Sequence, residues 1–90
     1  GNKTPNFVTK IILGYNNLGS ILIKVKKTHD AIAVLEKAIQ IKPNYIEALT
    51  NLGVAYLEIK KYENSLYYLN KALAVDSSYV KAMSQKLFIM

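Results

Sequence analysis

Ninety residues, 51% hydrophobic and 20% charged, suffice for one small domain with a core and exclude an intrinsically disordered chain. With no cysteine and a single histidine, His29, disulfide frameworks, thiolate metal sites and any site built on two imidazoles are excluded, so neither a metal nor a cofactor is expected. The net charge of +6 comes from lysines without any arginine; it gives a diffuse field rather than bidentate forks for bases and phosphates, which makes nucleic acid an unlikely partner.

In chain order, residues 1–11 read as an N-terminal extension of a first helix, with Thr4 able to cap a start at Pro5. Tyr15, Leu18 and Leu22 carry that helix to a polar break at Lys26-Lys27-Thr28. A second helix follows on Ala31, Leu35 and Ala38, and Pro43 ends the unit because it cannot continue a helix interior. Asn44, with Glu47 three places on, predicts a capping-box-like start for a third helix. There Leu49, Leu52, Gly53 and Tyr56 follow i, i+3, i+4, i+7 spacing. Lys60-Lys61 interrupts the stripe, Leu66, Leu69 and Leu73 resume it in a fourth helix, and Ser78 offers the start of a fifth over residues 80–90. The longest apolar run, Ala31 to Leu35, is too short for a membrane span, so the chain reads as soluble with no membrane partner. It opens on Gly1 rather than a methionine, as an excised or processed segment does, which leaves its compartment open.

These elements repeat. Displaced by 34 residues, Ile12–Tyr45 falls on Ile46–Tyr79 with ten identical pairs, among them Asn17-Leu18-Gly19 on Asn51-Leu52-Gly53, Leu35 on Leu69 and Lys37-Ala38 on Lys71-Ala72. Such a period marks a stacked-repeat architecture in which each unit is a helix pair. Small residues, Gly19 with Ala31 and Ala38 and Gly53 with Ser65 and Ala72, are expected to let the two backbones of each pair approach closely.

On Leu18-Gly19, Ala31, Leu35, Ala38 and Pro43, and again on Leu52-Gly53, Tyr56, Ser65, Leu69 and Ala72, the sequence resembles the tetratricopeptide repeat family. The resemblance implies an all-α, right-handed helical repeat of antiparallel helix pairs: unit one at 12–45, unit two at 46–79, and 80–90 as a capping helix or the start of a third unit. Leu22 replaces the family's aromatic, Ser65 its alanine and Ser77 its proline, and each of these is expected to loosen the packing somewhat.

The resemblance also implies a concave groove lined by the first helix of each unit, with a peptide segment of a partner protein as ligand and no catalysis. The groove residues are then Asn17, Ser20, Asn51, Val54, Lys81 and Gln85, within rows that include Asn16, Lys24, Thr50, Glu58 and Phe88. Asn17, Asn51 and Gln85 recur 34 residues apart, so they are expected to form a ladder of exposed amides, each offering a donor and an acceptor to a peptide main chain. That arrangement resembles the asparagine ladder of the repeat domain of O-linked N-acetylglucosamine transferase, so a substrate-recognition segment of a larger enzyme such as a glycosyltransferase is the alternative. Co-chaperone members clamp a carboxylate with lysines, asparagines and an arginine. Here Asn16, Ser20 and Gln85 stand where lysine, asparagine and arginine are wanted, which disfavours that role.

Other features have plainer readings. His29 reads as a solvated residue, Lys24, Lys26, Lys27, Lys60 and Lys61 as a solvated edge, Glu58 and Glu63 as members of surface ion pairs, and Tyr67-Tyr68 as packing on the convex back. Val80, Met83, Leu87 and Met90 at one end and Phe7, Val8 and Ile11 at the other have nothing to cover them, which predicts either a homo-oligomer or a chain that continues past Met90.

Overall fold

A computed structural model describes residues 6–89 as five helices: α1 (Phe7–Lys24), α2 (Thr28–Ile41), α3 (Ile46–Glu58), α4 (Tyr62–Val75) and α5 (Val80–Ile89). Thr4, Pro5 and Met90 lie outside the described residues; α1 opens instead at Asn6, whose extended backbone and side chain cap the helix by accepting the Thr9 amide at 2.8 Å. None of these helices is long and apolar enough to cross a membrane.

Each pair, α1 with α2 and α3 with α4, closes on one contact between a glycine and a leucine. A methyl group on Gly19 would run into the side chain of Leu35, and one on Gly53 would stand 2.5 Å from Leu69 Cδ2; Leu35 and Leu69 are both completely buried. The close approach expected from Gly19 and Gly53 is therefore a backbone of one helix resting on a leucine of the other. At the second of these points the Ser65 hydroxyl donates to the Gly53 carbonyl at 2.7 Å. Serine in place of alanine thus adds a buried hydrogen bond instead of loosening the pair.

Between units, α2 packs on α3 and α4 on α5 through Ala31, Leu35, Ala38, Ala48, Leu52 and Ala55 in one cluster and Leu49, Leu69, Ala72 and Ala82 in the other. Tyr68 and Ile39 pack against both clusters. Tyr68 also stacks on Tyr56, ring centroids 5.6 Å apart, while the Tyr56 hydroxyl donates to Glu36 at 3.3 Å. Burial, and then the Glu36 charge, raise the ionisation of both tyrosines above the ordinary phenol value. Tyr67 stays exposed under Lys71 and meets Tyr68 edge-on.

The first helices of successive units touch, α1 with α3 and α3 with α5, whereas the backbones of α2 and α4 do not. The array accordingly has an inner side built from α1, α3 and α5 and an outer side built from α2 and α4.

The turns differ from the expected ones. Asn44 does not cap α3: it sits inside a turn closed by the Tyr45 amide on the Lys42 carbonyl, and Tyr45 occupies the cap position without a side-chain bond. Ser78 likewise sits inside a turn, its amide and hydroxyl both donating to Asp76, which holds that carboxyl below its usual range. In both places the helix starts after one more residue than the capping signal indicates, and at Ser78 the polar side chain serves the turn instead.

The lysine pairs are more than breaks. Lys26 and Lys60 have φ of 67° and 61°, the left-handed conformation that terminates a helix. The Lys27 amide reaches back to the Leu22 carbonyl at 2.8 Å and Lys61 to Tyr56 at 2.9 Å, which completes a Schellman motif at each site. A lysine in this conformation costs about 1–2 kcal/mol that glycine avoids, less the roughly 0.5–1 kcal/mol by which glycine favours the unfolded chain. Lys60→Gly is therefore expected to stabilise the protein by about 0.5–1 kcal/mol and raise its melting midpoint by several degrees in a thermal melt. A lower midpoint would contradict the left-handed turn.

Candidate peptide groove

The inner side presents two joined depressions. One, of about 230 Å³, is lined by Ser20, Ile23 and Lys24 of α1, Asn51 and Val54 of α3, and Lys81 and Gln85 of α5. The other, of about 520 Å³, is lined by Val54, Leu57, Glu58, Lys60, Tyr62, Gln85 and Phe88. Val54 and Gln85 belong to both, so the two join into one surface of mixed character, with Lys24 and Lys81 toward α1 and Glu58, Lys60 and Phe88 at the far end.

Five of the six residues expected in a groove, Ser20, Asn51, Val54, Lys81 and Gln85, thus line one depression. The sixth, Asn17, is exposed but lies outside it. Two expectations about the amides need correction. Asn51 is not an exposed rung but a buried side chain. Its amide nitrogen donates to Asn16 Oδ1 at 2.9 Å, and its oxygen accepts from Lys81 Nζ at 3.4 Å. The row across the three inner helices is therefore Asn16, Asn51, Lys81, spaced by 35 and 30 residues rather than by the 34 of the repeat, and Asn17 makes no part of it. Thr50, also expected to face the groove, is fully buried and donates to the Ile46 carbonyl of its own helix at 2.8 Å.

Asn51 has one amide hydrogen and one oxygen lone pair left after these bonds, with little exposed surface through which to use them. The more accessible polar groups of the depression are instead those of Lys81, Lys24, Gln85 and Ser20. Ile23, Leu57, Lys60 and Tyr62 join the lining beyond the residues expected there. The period itself could have found two of them, since Ile23 and Leu57 are repeat mates, 34 residues apart, each on the floor of one depression.

At the rim of the larger depression, Glu58 forms an ion pair with Lys26 at 3.4 Å across the two units, exposed enough to contribute little. His29 is exposed in the first turn of α2, and no three His, Asp or Glu side chains gather into a metal-binding group among the described residues.

A family model, tetratricopeptide repeat, matches residues 11–78. Comparison with curated proteins returns no match.

Proposed function

Since the chain belongs to the tetratricopeptide repeat family, whose repeats serve as protein–protein interaction modules, we propose that it binds an extended peptide segment of a partner protein along α1, α3 and α5 and performs no chemistry of its own. The observation that supports this reading is the continuous surface that brings Ser20, Lys81 and Gln85 beside Val54 and then opens onto Leu57, Tyr62 and Phe88. Polar side chains along the surface can hold main-chain carbonyls and amides, while the apolar patches between them accept large side chains of the peptide. Lys24 and Lys81 in the smaller depression favour a segment with acidic residues there.

Phe88 is 78% exposed, so its truncation removes ligand contact without removing core. Peptides selected on the protein from a random display library are expected to bind Phe88→Ala and Lys81→Ala at least about tenfold more weakly than the parent, as anchors in a groove do. Tyr67→Ala, on the outer side, is expected to leave affinity unchanged. Selected peptides that ignore the first two substitutions and are lost with the third would place binding on α2 and α4 instead.

A further inference from the structure

We propose that a depression on the outer side, between α2 and α4, receives an arginine side chain of a partner protein with its guanidinium on Glu36. The backbones of these two internal helices do not meet, and the gap between them holds about 290 Å³ lined by Glu36, Ile39, Gln40 and Tyr68.

Five of the six acidic residues are exposed, and Glu36 alone is half-buried. A carboxylate withdrawn from water needs a cation or hydrogen-bond donors in its place. With twelve lysines against six acids in the chain, a partner is expected nearby, yet among the described residues no lysine pairs with Glu36. The lysines of its two helices are engaged elsewhere. Lys37 of α2 lies over the Tyr15 ring at 5.9 Å, and Lys71 of α4 lies over the Tyr67 ring at 5.0 Å while donating to the Tyr67 hydroxyl at 3.3 Å. The donor that does reach Glu36, the Tyr56 hydroxyl, comes to Oε1 at 3.3 Å and leaves Oε2 for another.

Helix packing does not call for this charge, because the repeat mates of Glu36 and Gln40 are the neutral, exposed Asn70 and Ala74. The lining selects among cations. A guanidinium is planar and weakly hydrated, so it packs on Ile39 and Tyr68 while its N–H groups donate to Glu36 Oε2 and to the Gln40 amide oxygen. An ammonium holds its water more strongly and has no flat face for those walls. Occupation of this site leaves the inner surface of α1, α3 and α5 open.

Titration of the 90-residue chain with N-acetyl-arginine amide, followed by nuclear magnetic resonance, tests this. Saturable shifts are expected at the backbone amides of Glu36, Ile39, Gln40 and Tyr68, with none from N-acetyl-citrulline amide, which has a similar shape without the charge. Glu36→Gln keeps an acceptor for the Tyr56 hydroxyl, so it is expected to leave the thermal melt unchanged while weakening arginine binding at least about fivefold. N-acetyl-lysine amide is expected to bind more weakly than the arginine compound. Shifts that are absent from these four amides, or undiminished in Glu36→Gln, overturn the proposal. Equal binding of the citrulline or the lysine compound overturns it too, since the first needs no carboxylate and the second no planar cation.

Discussion

Replacing Gly53 with leucine is expected to abolish cooperative folding or lower the melting midpoint by more than about 15 °C. The first carbon of any side chain at that position stands 2.5 Å from Leu69 Cδ2 and 2.6 Å from Leu69 Cγ, and Leu69 has no exposed surface into which to retreat. Relief requires α3 and α4 to separate, and separation also stretches the bond from Ser65 to the Gly53 carbonyl. Overpacking of this kind costs about 3 kcal/mol and loss of a buried hydrogen bond about 1 kcal/mol more, against a total of about 5–13 kcal/mol for a chain of this length. Circular dichroism on heating reads the effect directly. The contact can also be isolated: Gly53→Ala is expected to cost clearly less when Leu69→Ala is already present than in the parent. Strict additivity of the two would mean that the glycine and the leucine do not meet.

The second large effect is expected at Asn51. Alanine there leaves the buried oxygen of Asn16 without its donor and removes the acceptor for Lys81, at a cost of about 1–3 kcal/mol. Asn17→Ala, on an exposed residue with no part in that row, is expected to change stability by less than about 0.5 kcal/mol. The two substitutions look equivalent by repeat position, so a melt of each separates a structural amide from a free one. Asn16→Ala in the Asn51→Ala background is expected to add almost nothing, since the orphaned oxygen leaves with it. Equal, small losses for Asn17 and Asn51 would overturn the buried pair.

These two residues show where the sequence is informative. The 34-residue period, the helix pairs and the close approach at Gly19 and Gly53 are all legible, because the chain states each of them twice, although the residues met there, Leu35 and Leu69, are not the small ones the sequence suggests. The inner row is not. Asn16 and Asn51 are 35 residues apart, and the one-residue offset comes from how α1 lies beside α3, a property of packing with no counterpart in the repeat. Helix ends are less legible for a related reason: Asn44 and Ser78 are good capping residues, but each lies inside a turn, Ser78 held there by Asp76. The left-handed lysines escaped notice because glycine is the usual signal for that conformation, and neither lysine pair contains one.

Helix α3 touches every other helix, while α1 reaches only α2 and α3, and α5 only α3 and α4. Seven of its thirteen residues, from Ala48 to Ala55, are buried, whereas α5 buries Ala82 alone. The order in which the chain comes apart follows from that asymmetry. The helix at the C-terminal end can open and reclose while the other four stay assembled, but loss of α3 leaves two separate pairs, α1 with α2 and α4 with α5, that no longer touch. Protection against amide exchange should therefore fall outward from the middle of the sequence, and the barrier to folding should be crossed when α3 finds either of its flanking helices. Because every one of these encounters is between helices close in sequence, the search is short, and the chain should fold on the fast scale of local-contact proteins.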